Sequence, residues 1–192
     1  MKTHLVALAF AAFFAGTSAP VIAAPITYIV DTTHTYPRFA YSHFGFSTQQ
    51  FQFNNTSGKI VYDAETQLGS VDITVDMKAL DTGFELWNSR IHGEDYFDTA
   101  RYPTATFKST TVKFEGNKPV TVDGTLTLKG VTKPVTLTVT SFQRMPHPIV
   151  KKDALGANAH TTVKRSDFNM SKFVPAVSDE VTITLAVEAW QQ

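Results

Sequence analysis

In four stretches of this chain, apolar residues return at every second position. Val71, Ile73 and Val75 alternate with Ser70, Asp72, Thr74 and Asp76. Val120, Val122, Gly124, Leu126 and Leu128 alternate with Thr121, Asp123, Thr125, Thr127 and Lys129. Val135, Leu137 and Val139, then Val181, Ile183, Leu185 and Val187, repeat the pattern. Successive side chains of a strand point to opposite faces, so each stretch is a strand with one apolar and one wet face. The intervening residues are largely threonine, β-branched like valine and suited to a pleated surface. No strand–helix–strand repeat occurs, so a parallel α/β fold is excluded.

Weaker strand signals lie at Thr27–Asp31, Arg38–Phe44, Lys59–Tyr62, Thr104–Ser109, Val112–Phe114 and Ala157–Arg165. Turn residues separate them, at Asn54-Asn55-Thr56-Ser57-Gly58, Gly116-Asn117-Lys118-Pro119 and Lys129-Gly130-Val131-Thr132-Lys133-Pro134. Roughly eight to ten short strands joined by short turns predict an all-β antiparallel sandwich or barrel.

Residues 81–103 break the alternation. Asp81 or Thr82 is placed to cap a short helix and Gly93 to stop it. Phe84, Trp87 and Ile91 recur at helical spacing and are expected on one face, with Tyr96 and Phe97 following. A helical insertion at about 82–98 is long for a loop in a tight β-protein, and loops of this length are often functional.

The N-terminus reads as an export signal. Lys2 and His4 precede an apolar run from Leu5 to Ala15, and Val21-Ile22-Ala23-Ala24 supplies small residues for cleavage. Cleavage is expected after Ala23, leaving residues 24–192 as one domain. The apolar run is shorter than the roughly 20 residues that span a bilayer. Without Lys2, acidic residues outnumber basic ones by one, and this near-neutrality argues against nucleic acid as a partner. The chain has no cysteine, which excludes disulfides, thiolate metal sites and cysteine nucleophiles.

An eight-stranded barrel has an interior that side chains just fill, or that holds one small ligand. The clearest inward positions are Val, Ile, Leu and Gly. Aromatic residues concentrate elsewhere: Phe39, Tyr41, Phe44, Phe46, Phe51 and Phe53 on the second strand and its loop, Phe84, Trp87, Tyr96 and Phe97 in the insertion, and Phe168 and Phe173 late in the chain. Composition alone favours rings that plug the barrel over a hollow one.

Signals for catalysis are sparse. His34, His43, His92, His147 and His160 have neither strand nor helix metal-pair spacing, and His92-Gly93-Glu94-Asp95 reads as a solvated turn. No G-x-S-x-G elbow or glycine-rich phosphate loop is present. His43 shares the face of Phe39 and Tyr41, so it is expected inward, as a core histidine or as a polar contact to a guest. Arg90 and Arg165 raise the same choice. A buried charge must be paired, and a salt bridge is the default for each, with a guest's head group the alternative.

Tyr28-Ile29-Val30-Asp31-Thr32-Thr33-His34-Thr35, Ser42-His43-Phe44-Gly45, Asp81-Thr82-Gly83, Glu94-Asp95-Tyr96-Phe97-Asp98, Tyr102-Pro103-Thr104-Ala105-Thr106-Phe107, Gly124 to Val135 and Lys164-Arg165-Ser166-Asp167-Phe168 stand in a telling order. With them the chain resembles the YceI-like, polyisoprenoid-binding family of exported bacterial proteins. The resemblance implies an eight-stranded, lipocalin-like antiparallel β-barrel in the periplasm. It further implies an enclosed isoprenoid or other long-chain lipid, with no catalytic step, metal or cofactor. It therefore reverses the preference for a plugged interior. Two positions depart from the family. Asn169 stands where glycine is usual, and asparagine tolerates the left-handed conformation such a turn needs. Trp87-Asn88-Ser89-Arg90 replaces an Arg-Asp pair.

The candidate ligand contacts on this reading are Phe39, Tyr41, His43 and Phe44 from the second strand. The insertion offers Phe84, Trp87, Arg90, Ile91, Tyr96 and Phe97. Phe107, Leu126 and Leu137 come from inner strand faces, and Arg165 and Phe168 from the last turn. Segment 81–103 is the candidate lid. Sequestration has ample driving force: each methylene removed from water contributes about 0.8 kcal/mol, and roughly ten give micromolar affinity before ordering costs. A monomer and a homodimer are both compatible with the sequence, as is transient contact with a membrane. Two other classes stay open: an isomerase or hydrolase using His43 on a lipidic substrate, and a solid-cored module that binds a membrane redox partner.

Overall fold

The computed structural model describes residues 25–192; the expected signal peptide, 1–23, lies outside them. Eleven strands follow one another: β1 (Ile26–Val30), β2 (Tyr36–His43), β3 (Ser47–Phe53), β4 (Thr56–Asp63), β5 (Leu68–Asp76), β6 (Leu80–Asp81), β7 (Thr104–Glu115), β8 (Lys118–Leu128), β9 (Val131–Pro146), β10 (Asp153–Lys164) and β11 (Glu180–Gln191). One helix, α1 (Glu85–Ile91), stands between β6 and β7. Eight strands close a barrel in the order β1-β4-β5-β7-β8-β9-β10-β11, because β11 pairs with β1. The sheet continues from β11 into β2, β3 and β6.

The first long hairpin is bent in the middle. β1 pairs with β4 and β2 with β3, the breaks falling at 31–35 and at Asn54-Asn55. Asp31 makes the first break. Its carboxylate accepts hydrogen bonds from Thr33 N (2.9 Å), Thr33 Oγ1 (2.7 Å) and the His34 ring (2.5 Å). The edge of β11 therefore serves two partners, β2 over Thr182–Ala186 and β1 over Ala189–Gln191.

Several expectations are corrected here. Ser47–Phe53, read as loop, is a strand whose glutamines and phenylalanines alternate. The two short signals at 104–109 and 112–114 are one strand, interrupted at Thr110 by a bulge that shifts the register against β8. Val120 is skipped in the pairing of Phe114 with Pro119, so it leaves the inner face that its period had assigned. A third shift, at Thr140 opposite Asn158/Ala159, makes Phe142 rather than Ser141 follow Val139 inward. Each bulge puts two residues opposite one and inverts the parity beyond it.

The insertion is less helical than its spacing suggested. Only residues 85–91 form α1, and Phe84, in extended conformation, is the capping residue without a side-chain bond. Asp81 accepts from Gly83 N and Asn88 Nδ2 (both 2.8 Å), while Asn88 Oδ1 accepts from Thr82 N and Oγ1. Phe84 consequently leaves the face of Trp87 and Ile91 and is 63% exposed.

The buried residues form three separate clusters rather than the single contiguous core usual for a domain of this size. One, at the end carrying α1, joins Phe39, Phe53, Met77, Leu80, Ile91, Phe97, Phe168 and Met170. A second, at the opposite end, joins Tyr28, Tyr62, Leu155 and Ala189. Phe107, Val122 and Leu137 form the third, midway. There Phe107 lies over Gly124: a Cβ on Gly124 would stand 2.6 Å from the Phe107 ring and 2.5 Å from the Lys108 carbonyl oxygen. Gly124→Ala is accordingly expected to lower the free energy of unfolding by about 1–3 kcal/mol, the usual range for overpacking, as measured by denaturant titration. An unchanged midpoint would mean that the ring yields freely.

Candidate functional site

Between the clusters the barrel is hollow. A cavity of about 490 Å³ runs from Tyr62, Phe142 and Leu155 at one end to His43, Arg90 and Trp87 at the other. This volume lies within the roughly 300–1,000 Å³ of small-molecule sites. Its wall is almost wholly apolar, with Val71, Ile73, Val135, Leu137, Val139, Val163, Ile183 and Leu185 presenting their alternating faces. Val135, Val139, Val163, Ile183 and Leu185 point inward yet are only half-buried, because the surface they retain faces the hollow. The plugged interior that composition favoured is thereby overturned. The aliphatic residues facing one another across this barrel leave the space between them open, and most large rings lie at the ends.

The end near Tyr28 is stoppered. Phe114 and Phe142 pack on Tyr62, with ring centroids at 6.1 and 5.1 Å. Behind them Tyr28 Oη donates to Asp153 Oδ2 (2.7 Å), and Arg144 donates to the same oxygen through Nε (2.8 Å). Tyr28, Tyr62 and Phe114 fall in the weaker strand signals, whereas Phe142 had none, since the bulge at Thr140 hides its parity.

The other end is a mouth. His43, Phe44, Arg90, Lys172 and Phe173 line the cavity there and are exposed. Every candidate contact named from the sequence lies on the cavity wall except Phe84. Their settings differ from those expected. His43 is an exposed rim residue with its ring edge-on to Phe44 at 4.6 Å, not a core histidine. Arg90 is also exposed, and makes no ion pair among the described residues. The salt bridge expected of Arg165 is replaced by backbone carbonyls: Nε donates to Ser178 O (2.8 Å), one terminal nitrogen to Val177 O (2.9 Å) and the other to Met170 O. Burial lowers the Arg165 pKa, with Asp179 opposing. The 170–178 loop has few strand partners for its carbonyls, so the guanidinium supplies them.

The insertion is half anchor and half rim. Phe97 meets Phe39 at 5.7 Å and Phe53 at 5.8 Å, and Ile91 is buried beside them. Trp87 is half-buried above, edge-on to Tyr96 at 5.3 Å. Asn169 has φ 58°, the left-handed conformation anticipated for it. One side-chain group among the described residues has metal-ligand proximity: Asp31, His34 and Glu188, with ligand atoms within 4.8 Å of one another. The hydrogen bonds that close the 31–35 turn already engage Asp31.

Residues 28–189 match the family model of the YceI-like domain. The chain belongs to the YceI-like family. It is 33% identical over 195 residues to Protein YceI of Escherichia coli O157:H7, with both chains covered in full. A UPF0312 protein of Shewanella putrefaciens is 32% identical over 173 residues, covering 88% of this chain and 90% of that one. Among solved structures, Burkholderia cenocepacia BcnA aligns with a TM-score of 0.70 at 27% identity, over 83% of this chain and 99% of its own. A polyisoprenoid binding domain from Saccharophagus degradans aligns with a TM-score of 0.66 at 18% identity, over 87% of this chain and 99% of its own. At that identity the likeness is one of fold.

In this member of the YceI-like family the tunnel floor holds a carboxyl whose ionisation is coupled to folding. Burial by itself raises the Asp153 pKa, but the bonds from Arg144 and Tyr28 outweigh it and hold the carboxyl below its ordinary range. A folded-state pKa below the unfolded value, near 3.9, contributes stability above that pH and loses it as pH falls through the folded pKa. Arg144→Met removes a bond that lowers the pKa and leaves the burial that raises it. The variant is expected to be less stable than the parent at neutral pH and to lose less as pH falls below about 4, so that the two converge in acid, as measured by denaturant titration at each pH. A stability difference that stays constant across pH would detach the Asp153 charge from the stability of the floor.

Proposed function

We propose that this protein is exported to the periplasm and there sequesters or carries a polyisoprenoid or similar long-chain amphiphile in its barrel, without chemical conversion. The observation that carries this reading is the apolar tunnel, stoppered at one end and open at the other. β10 faces the tunnel from Leu155 to Val163, which at about 3.4 Å per residue and a typical barrel tilt near 40° gives roughly 20 Å along the axis. That exceeds half of the roughly 30 Å hydrocarbon core of a bilayer, so the tunnel suits a long hydrocarbon tail. The fold shared with the polyisoprenoid binding domain of S. degradans supports the same class of guest. Family membership and an exposed His43 with no side-chain hydrogen bond among the described residues favour binding over catalysis, and the hollow disfavours a solid interaction module.

Loading follows from the rim. Phe44 and Phe173 at the mouth are 48% and 54% exposed, and Phe46, in the turn after Phe44, is 90% exposed; this mouth is where a lipid leaves the membrane. Exposed aromatics around an apolar opening are fitted to a brief, shallow contact with the bilayer interface.

Native mass spectrometry of the protein purified from its host, followed by organic extraction, tests the reading. A bound long-chain species is expected, released by solvent and recovered in the extract. A protein that carries no lipid and takes none up from vesicles would overturn the proposal. Trp87 packs on the end cluster and also lines the mouth of the tunnel, so Trp87→Ala is expected to weaken retention of that guest about tenfold, or ~1.4 kcal/mol. That loss should exceed the drop in unfolding free energy measured on the same variant. Equal losses would make Trp87 merely part of the packing.

A further inference from the structure

The charged side chains on the tunnel wall are all of one sign. Arg90, Arg165 and Lys172 line it with the imidazole of His43, and among the described residues no aspartate or glutamate does. Two of these three cations are engaged. Arg165 holds the 170–178 carbonyls, and Lys172 pairs with Asp95. Arg90 and His43 have no ion pair and no side-chain hydrogen bond among the described residues.

The two free groups belong to one collar. Lys172, in the electrostatic reach of Arg90, sits 5.6 Å over the Phe173 ring. Phe173 is 6.4 Å from Phe44, and Phe44 is 4.6 Å from His43. The collar therefore surrounds the opening with donors and positive charge, directly above an apolar wall. We propose that it binds an anionic head group, a phosphate or a carboxylate, with Arg90 as its main contact. The guest is then an acidic long-chain amphiphile rather than a neutral alcohol, quinone or amide. This inference rests on the tunnel being a lipid site, as proposed above.

The chemistry is direct. A guanidinium offers five N–H donors in a planar fork that matches both oxyanions. Among the described residues the wall itself carries no carboxylate, and Asp95 beside the collar is taken up by Lys172, so Arg90 remains for the head group and the low-dielectric wall strengthens the attraction. A neutral head group would leave Arg90 without a counter-charge. The mouth is open to water, so the head group is never fully desolvated and the tail supplies most of the affinity.

The test compares probes with matched tails. Geranylgeranyl phosphate and geranylgeraniol form one pair, palmitate and hexadecanol the other, each titrated below its aggregation limit into delipidated protein by tryptophan fluorescence. At least one anion is expected to bind about tenfold more tightly than its alcohol at low salt, with the preference shrinking in 0.5 M salt. The pair showing the larger ratio tells whether the head group is a phosphate or a carboxylate. Arg90→Met should bring the ratio close to one, and Arg90→Glu should reverse it, with melting curves confirming that both variants fold. Alcohols binding as tightly as anions, or ratios untouched by both substitutions, would overturn the anionic head group and leave the lipid tunnel intact. Probes that fail to bind at all would overturn both readings.

Discussion

Along its inner edge β11 has a partner for nearly every residue, β2 over Thr182–Ala186 and β1 over Ala189–Gln191, while its other edge is paired with β10 from Ala154 to Lys164. This double use of one strand closes the barrel. Unpaired backbone groups on a long edge invite association with other chains, and closure removes them. It also sets the strands at a tilt that holds opposite walls apart. The turn at 31–35, braced by Asp31, allows the exchange between β1 and β2. The hollow, the stopper and the mouth all follow from that exchange.

A hollow of this size is expensive. Cavities left in packed cores cost about 24 cal/mol per Å³, and on that scale the tunnel costs on the order of 10 kcal/mol, as much as the net stability of many domains. The ladders between strands and the two end clusters offset this. Each end is also tied by polar bonds: Tyr28, Asp153 and Arg144 at the floor, and Arg165 with the 170–178 carbonyls at the mouth. Lys129 adds a further tie, donating to Glu94 O (2.6 Å) and Asn169 O (3.1 Å), so that the β8–β9 turn holds the insertion against the final loop.

Much of the wall was legible from alternation. Val71, Ile73, Leu126, Val135, Leu137, Val139, Ile183 and Leu185 all face the tunnel as their period demanded. Parity failed at Thr110, Val120 and Thr140, because one added residue leaves no local mark and becomes visible only against the partner strand. Phe142 was lost for that reason. Phe84 was misplaced because helical spacing does not say where the first helical φ begins. Ser47–Phe53 escaped because Ser47 and Gln49 dilute its apolar face. The hollow itself was not legible: whether side chains meet across a barrel depends on strand number and tilt, not on residue size along one strand.

The stopper behind Tyr62 makes the tunnel a blind bore, and a blind bore has its own traffic rules. Whatever lies inside must depart through the aperture by which it arrived, and a newcomer cannot push it out from the rear. Water displaced during filling must escape past the same rim. Exchange is therefore governed by a handful of residues around a single doorway, His43, Trp87, Arg90 and Phe173 among them, however long the occupant extends toward the far wall.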